Sequence, residues 1–243
     1  MKQTMFTITE NTALTATVYK MVLAGDTDGI TTGQFVNILL DGLYLRRPIS
    51  VCDCTDGTLT LLYKVVGKGT AQMAAMTAGQ TLDVLTGLGN GYDLSKAGDH
   101  PLLLGGGVGV PPLYMAARLL REQGKAVSVV LGFNTADEVF YEQEFKDLGC
   151  DVIVTTADGS HGVKGFVTDA LPADYSYFYT CGPEPMLKAV YKATNTSGQF
   201  SFEERMGCGF GACMGCSCKV ITGYKRICKD GPVLEKEEIL WDA

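Results

Sequence analysis

Four cysteines near the C-terminus, Cys208, Cys213, Cys216 and Cys228, constrain this chain more than any other feature. The first three stand in C-G-F-G-A-C-M-G-C, a C-x4-C-x2-C run, and the fourth follows after eleven intervening residues. That is the plant-type ligand spacing of a [2Fe–2S] cluster, in which each iron takes two thiolates and two bridging sulfides. Gly209, Gly211, Ala212 and Gly215 are small enough for the backbone to wrap an inorganic core and aim N–H groups at its sulfurs. A structural zinc site also needs only four cysteines. Zinc sites usually carry two short C-x2-4-C knuckles, however, and one such knuckle is clear here, so the spacing favours iron–sulfur. On that reading the chain moves single electrons.

The remaining composition bounds the setting. A length of 243 residues suffices for two compact units and a small appendage. Hydrophobic residues at 46% and charged residues at 19% fit a globular protein with a full core. The net charge of −7 argues against nucleic acid or an anionic membrane surface as partner. The opening MKQTMFTITEN lacks the apolar core of an export signal, and no apolar run is long enough to span a bilayer. Nine cysteines without an export signal point to metal ligation and reduced thiols, hence a cytoplasmic setting. Among the five cysteines outside the proposed cluster, Cys52 and Cys54 are two apart in a β-like run and are expected on one sheet face. Cys218 lies close enough to the ligands to compete with Cys216, but Cys216 preserves the spacing.

Hydrophobic patterning divides the chain into three units, 1–98, 99–200 and 201–243. The first reads as strands broken by turns: Thr12 to Leu23, Gln34 to Leu40, Ile49 to Cys54, Thr58 to Val66 and Thr81 to Leu85. Asp56-Gly57 is a hairpin signal, and short strands at this spacing predict a small antiparallel barrel. From residue 99 strands alternate with helices. Strands are expected at 101–104, 126–131, 151–155 and 175–180, and helices after Gly109, at 138–148, 165–171 and 184–192. This pattern predicts a Rossmann-like parallel sheet covered on both faces. The last unit is too small for a large core of its own, so a cluster would help hold it together.

Three further segments suit phosphate or nucleotide. Gly105-Gly106-Gly107-Val108-Gly109-Val110-Pro111-Pro112 follows a strand and opens a helix, where glycines admit a pyrophosphate and free N–H groups receive it. Pro112 stands where a Rossmann turn has its third glycine, and a tight turn made for packing is the plainer alternative. Arg47-Pro48-Ile49-Ser50 combines a planar guanidinium fork with a small hydroxyl, although Arg46 and Arg47 could equally be solvated surface. Gly67-Lys68-Gly69-Thr70 reads either as a backbone cradle for phosphate or as a plain loop.

Together these segments resemble the ferredoxin–NADP reductase superfamily. Arg47-Pro48-Ile49-Ser50 is similar to its R-x-[YFL]-[ST] flavin motif, Gly107 to Pro112 to its G-x-G-x-x-P turn, and Cys181-Gly182-Pro183-Glu184-Pro185-Met186 to its C-G-P-x-x-M motif. The tail, from Glu204-Arg205-Met206-Gly207-Cys208 to Cys228-Lys229-Asp230-Gly231-Pro232-Val233, resembles the electron-transfer subunits of type B dihydroorotate dehydrogenases, and that resemblance spans essentially the whole chain.

The resemblance implies FAD along Arg47, Pro48, Ile49, Ser50, Leu62, Tyr63, Lys64, Gly69 and Thr70. It implies NAD at Gly107, Gly109, Pro112, Cys181, Gly182, Pro183 and Met186, and the cluster on Cys208, Cys213, Cys216 and Cys228. Ile49 stands where many reductases place a flavin-stacking tyrosine. The implied partner is an FMN-containing dihydroorotate-oxidising subunit, two of each in a heterotetramer serving pyrimidine synthesis. Electrons would pass from FMN through the cluster and FAD to NAD+. No side-chain acid, base or nucleophile is expected. The rival readings are a related subunit of a ferredoxin–NADP oxidoreductase, sulfide dehydrogenase or hydrogenase complex, and a stand-alone redox carrier or sensor.

Overall fold

A computed structural model describes residues 1–241, so the last two positions of the 201–243 unit lie outside the described residues. The N-terminal strands are β1 (Lys2–Ala13), β2 (Val18–Ala24), β3 (Phe35–Ile38), β4 (Arg47–Thr55), β5 (Thr58–Lys64) and β6 (Thr81–Leu88), with helix α1 (Lys68–Ala74) between the last two. They close into a barrel in the order β1-β2-β5-β4-β3-β6, as expected. Alternation explains the closure, since Phe6 and Ile8 of β1 turn inward to meet Met21, Leu23, Val36, Ile38, Leu59, Leu61 and Val84.

The expected strand from Thr12 to Leu23 is instead the end of β1, a turn and most of β2. Thr15 Oγ1 accepts from Val18 N at 3.0 Å and from Thr17 N at 3.3 Å, which reverses the chain. The β4–β5 hairpin turns at Asp56-Gly57, with Gly57 at φ +70°. Cys52 and Cys54 do not share a face. A register shift between Val51 and Asp53 lets Cys52 join the core facing the nucleotide unit while Cys54 packs on the barrel core.

The second unit comprises β7 (Pro101–Gly106), α2 (Pro111–Glu122), β8 (Ser128–Phe133), α3 (Glu142–Asp147), β9 (Asp151–Thr156), β10 (Val163–Lys164), β11 (Tyr177–Cys181), α4 (Glu184–Ala193) and β12 (Gly198–Ser201). The sheet runs β10-β9-β8-β7-β11-β12, all parallel. Leu103 packs with Leu113, Ala116, Ala117 and Leu120 of α2, whereas Leu102 and Leu104 face Leu187 and Val190 of α4. Both faces are therefore covered. The helix expected over 138–148 is reduced to α3, because Tyr141 takes φ +66° and Val139 is extended. The 165–171 helix is only a 3-10 turn at Val167–Ala170.

The C-terminal stretch forms a hairpin, β13 (Ser217–Val220) and β14 (Gly223–Arg226), then β15 (Val233–Glu235). β15 does not stay with its neighbours but pairs antiparallel with β12, adding an edge strand to the nucleotide sheet. Cys216, Val220, Ile227, Leu234 and Ile239 share one core with Leu102, Leu104, Phe178 and Phe200. The Gly87–Gly91 stretch serves this docking. A Cβ on Gly89 would lie 2.5 Å from Pro232 Cδ and 2.8 Å from the Gly231 carbonyl oxygen.

Candidate functional site

The flavin-motif segments converge on one side of the barrel. Arg47, Pro48, Ile49 and Ser50 begin β4 and are all half-buried, and Leu62, Tyr63 and Lys64 end the adjacent β5. Arg47 lies over the start of α1, so that a Cβ on Gly69 would come 2.2 Å from its Nε. Gly67 to Thr70 is thus a helix start rather than an open loop, and it faces the arginine fork. Thr70 Oγ1 accepts from Val66 N at 2.9 Å and Gly67 N at 3.3 Å, which fixes the turn. Leu62 turns toward the nucleotide unit and Tyr63 into the barrel, where its hydroxyl donates to Asn11 Oδ1 at 2.9 Å. Burial pushes the Tyr63 hydroxyl up to about 12, so it stays neutral. Ile49 packs against the barrel core.

The nucleotide-motif segments meet at the carboxyl ends of β7 and β11. β7 has β8 on one side and β11 on the other, so its end is the topological switch point of the sheet, where open α/β folds bind ligands. The two turns interlock through missing side chains. A Cβ on Gly109 would lie 2.3 Å from the Cys181 carbonyl oxygen, and one on Gly182 would lie 2.7 Å from Met186 Sδ. Gly107 takes φ +52° with open space around it. Pro111 and Pro112 occupy the first turn of α2, where their missing N–H groups cost nothing. Cys181 is half-buried, and desolvation pushes its thiol up to about 12. A narrow crevice between the barrel and the sheet is lined by Lys64, Gly107, Val108 and Glu138, so the two sets of motifs abut.

The cysteines gather as two pairs through backbone contacts, the Cys213 N–H pointing at Cys208 Sγ and the Cys228 N–H at Cys216 Sγ. No disulfide joins any of them. Among the described residues no three His, Cys, Asp or Glu side chains are grouped to hold one metal ion. Two pairs suit a two-iron centre in which each iron takes two thiolates. Backbone donors are in place: Ala212 N and Cys213 N point at Cys208 Sγ at 3.2 and 3.5 Å, and Cys228 N at Cys216 Sγ at 3.4 Å. Burial works to raise the Cys208 thiol, but donors from Phe210, Cys213 and Ala212 bring it down to about 6. Burial and then Cys216 push Cys228 up to about 12. A site that favours the Cys208 thiolate and disfavours that of Cys228 suits iron, whose charge would stabilise both. Cys218 stands apart on β13, its thiol directed at the Lys219 carbonyl at 3.8 Å.

Several positioning contacts carry no sequence signal. Arg226 grips Asp230 through Nε and Nη2 at 2.8 and 3.1 Å and reaches the Gly211 carbonyl at 2.9 Å, tying the first cysteine loop to the segment around Cys228. That guanidinium holds the Asp230 carboxyl down at about 2. Asn90 brackets Val233, donating to its carbonyl at 2.7 Å and accepting from its N–H at 3.1 Å. Asn37 of β3 donates to the Cys208 carbonyl at 3.3 Å. In the Asp158–Gly162 turn after β9, Ser160 Oγ accepts from Ala136 N at 2.7 Å and so fixes the loop after β8.

Barrel, doubly wound sheet and cysteine lobe in this order define a flavin-reductase fold with an iron–sulfur appendage. Residues 203–240 match the model for the iron–sulfur cluster binding domain of dihydroorotate dehydrogenase B, and residues 103–192 that for the oxidoreductase NAD-binding domain. The electron transfer subunit of dihydroorotate dehydrogenase B (NAD(+)) from Geobacillus sp. (strain WCH70) is 41% identical over 256 aligned residues, covering 99% of each chain. The same subunit from Fusobacterium nucleatum is 46% identical over 245, covering 93% of this chain and 94% of its own. The structure of an NADH-dependent reduced ferredoxin–NADP oxidoreductase superposes with a TM-score of 0.89 at 31% identity, covering 97% of this chain and 90% of that one. A Neisseria gonorrhoeae ferredoxin NADP+ reductase with bound FAD and NADP shares the fold alone, at TM-score 0.68 and 17% identity over 79% of this chain and 90% of its own. The chain belongs to the family of dihydroorotate dehydrogenase B (NAD(+)) electron transfer subunits.

Proposed function

We propose that this chain passes electrons from an FMN-containing dihydroorotate-oxidising subunit to NAD+, by way of a [2Fe–2S] cluster and FAD, in cytoplasmic pyrimidine synthesis. Residues 1–98 form the flavin unit, 99–200 the nucleotide unit and 201–243 the cluster unit, and two copies assemble with two of the partner. Arg47 and the Gly69-Thr70 start of α1 hold the FAD pyrophosphate, Pro48, Ile49 and Ser50 line the flavin, and Leu62, Tyr63 and Lys64 flank it. Gly107, Gly109 and Pro112 receive the dinucleotide opposite Cys181, Gly182, Pro183 and Met186. Cys208 and Cys213 hold one iron, Cys216 and Cys228 the other. The bound flavin supplies the exchange between one-electron and two-electron chemistry that the cluster and nicotinamide each lack.

The observation that carries this reading is the meeting of three sites around β3, β4 and β5. The Cys208 loop lies on Asn37, whose register partner is Pro48 of the flavin motif, while Lys64 beside that motif lines one crevice with Gly107 of the nucleotide turn. The protein's own work is to hold these centres adjacent and in order. Among the described residues no helix is long and apolar enough to cross a membrane.

The test is to co-express the tagged chain with an FMN-containing dihydroorotate dehydrogenase subunit and record metal content, acid-labile sulfide and visible spectra. Co-purification with one FAD and two irons per chain, and dihydroorotate-dependent NAD+ reduction, are expected. Zinc without sulfide, or NADH oxidation with ferredoxin but none with dihydroorotate, overturns the reading.

A further inference from the structure

One buried polar side chain stands in an otherwise apolar strand. β3 reads Phe35-Val36-Asn37-Ile38, all four buried, and Asn37 is 1% exposed. A carboxamide in such a place is costly unless its hydrogen bonds are made. Asn37 makes one: Nδ2 donates to the Cys208 carbonyl at 3.3 Å, across 171 positions of sequence. Its Oδ1 has no partner.

The loop is shaped to receive this contact. Gly209, directly after the first ligand, takes φ +79°, and a Cβ there would fall 2.3 Å from Asn37 Nδ2. Any other residue at 209 would meet both backbone strain and the amide. On its other side Asn37 is held in the flavin sheet. It pairs with Pro48 across β3 and β4, and its carbonyl accepts from Arg46 Nη1 at 3.3 Å. Arg46 is itself anchored on Asp83 of β6, to the carboxylate at 2.9 Å and the carbonyl at 3.0 Å. A single residue therefore joins the first-ligand loop to the strand that carries the flavin motif.

We propose that Asn37 is a positioning residue for electron transfer, setting the separation between the cluster and the flavin through its bond to the Cys208 carbonyl. The inference rests on the function proposed above. The step it serves makes and breaks no bond: the electron lost by one centre is the electron gained by the other. Electron tunnelling falls steeply with distance, so a small shift of the loop slows that transfer while hydride exchange at the crevice around Gly107, which Asn37 does not line, is untouched. An alanine at 37 removes the bond and leaves a void. A leucine keeps the same branching and number of side-chain atoms, slightly overfilling the site without a donor, so the two variants err in opposite directions in packing while sharing the loss of the bond.

The experiment uses the assembled complex and stopped-flow reduction by NADH, following flavin and cluster bands separately, with iron content and the electron paramagnetic resonance spectrum of the reduced cluster. For Asn37→Leu and Asn37→Ala we expect native iron content, native flavin reduction, cluster reduction slowed at least about tenfold and an altered cluster signal. Native cluster reduction in both variants overturns the inference. So does equal slowing of flavin and cluster, which would mark Asn37 as support for the fold alone. Loss of iron in both variants also overturns it, because the bond would then serve retention of the cluster and not its spacing. Failure of the unmodified complex to reduce its flavin and cluster with NADH would instead strike the proposed function itself.

Discussion

The turn between β7 and α2 and the loop from Met206 to Cys216 are both glycine-rich and both placed to receive a charged group, yet different forces hold them. The turn is wedged by backbone: Gly109 sits on the Cys181 carbonyl, and Gly106 and Gly182 leave room for Met186. Its shape is dictated by two paired parallel strands and a buried core, with or without a ligand. The cysteine loop has no strand within it. It is kept by the Asn37 amide, the Arg226 guanidinium on Gly211 and N–H contacts to sulfur. One site is defined by the fold and the other, on the function proposed, by the cluster it would hold. Removing a ligand should therefore destroy the second site and spare the first, and wedging the turn should do the reverse.

The largest effect belongs to the ligands. Cys216→Ser should abolish electron delivery from the partner subunit and leave NADH reduction of the flavin near native, because serine is a harder and more basic donor for iron. Cys216 is 2% exposed and accepts from Cys228 N, whereas Cys218 is half-buried on β13. Cys218→Ser should change little. Dihydroorotate oxidation and stopped-flow reduction on both variants separate the outcomes. A cluster lost in Cys218→Ser and kept in Cys216→Ser would reverse the ligand assignment.

Gly109→Ala is the converse. The added methyl would meet the Cys181 carbonyl carbon and oxygen at 2.4 and 2.3 Å, backbone atoms that cannot swing aside. The nucleotide turn must shift, and misplacement on that scale costs roughly 100-fold in rate. NADH reduction of the flavin should fall by that order while iron content holds. Equal loss of iron would show that the two sites are not independent.

This contrast also explains what was legible in the sequence. Cysteine spacing is local, so Cys208, Cys213, Cys216 and Cys228 could be proposed as ligands from sequence alone, and the β–α turns could be placed because their glycines are adjacent in sequence. The barrel followed from turns and β-branched runs. β1 was missed because only Phe6 and Ile8 of its twelve residues are buried and the exposed Met5 interrupts their alternation. The long helix expected over 138–148 failed because the core drew in Phe140 and Tyr141 ahead of the helix start, overriding local propensity. Long-range partners were invisible. Nothing near β15 says that it pairs with β12, and nothing near Asn37 says that it meets Cys208.

Nucleotide choice sharpens the fold-defined half. After β8 the chain offers Asp137, exposed, and Glu138, which accepts from Asn134 Nδ2 at 2.7 Å and lines the crevice. Neither suits an added 2′-phosphate. NADH should exceed NADPH in kcat/KM by at least about tenfold, or ~1.4 kcal/mol. Near-equal values would overturn this.

The seam between the halves titrates. Glu235 of β15 accepts from Lys96 Nζ at 2.6 Å, Tyr177 hydroxyl at 2.7 Å and Gln199 Nε2 at 2.8 Å. Burial works to raise its carboxyl, but these donors outweigh it and leave the group below its ordinary 4.5. A carboxylate depressed by folding stabilises above its unfolded value and loses that contribution as pH falls through the folded one. Glu235→Gln should cost roughly 1–2 kcal/mol at pH 7 and progressively less below about pH 4.5. Thermal unfolding against pH measures the difference, and a gap constant across pH would mean that charge at Glu235 is immaterial.

The smallest expected effect tests whether the barrel and the nucleotide sheet need an ionic clamp in addition to their shared core. Arg118 of α2 reaches Asp53 Oδ1 of β4 through Nε at 3.1 Å and Nη2 at 2.8 Å, with both side chains about one-fifth exposed. The same guanidinium donates to the Cys54 carbonyl at 3.1 Å and pairs with Glu122 at 2.9 Å. Removing the carboxylate alone leaves Arg118 its other partners, while removing Arg118 leaves Asp53 only the Cys54 N–H at 2.9 Å and takes a donor from the Cys54 carbonyl as well. Arg118→Met should thus destabilise more than Asp53→Asn, and a double-mutant cycle should give a coupling of about 1 kcal/mol, falling with added salt. In a chain of this size that amounts to roughly 2–4 °C in Tm. Because Cys52, Leu62 and Val18 already pack the barrel against the sheet, NADH reduction of the flavin should stay near native in both variants. A coupling near zero, or a loss of flavin reduction as large as that in Gly109→Ala, would show that the seam is held differently from either site it joins.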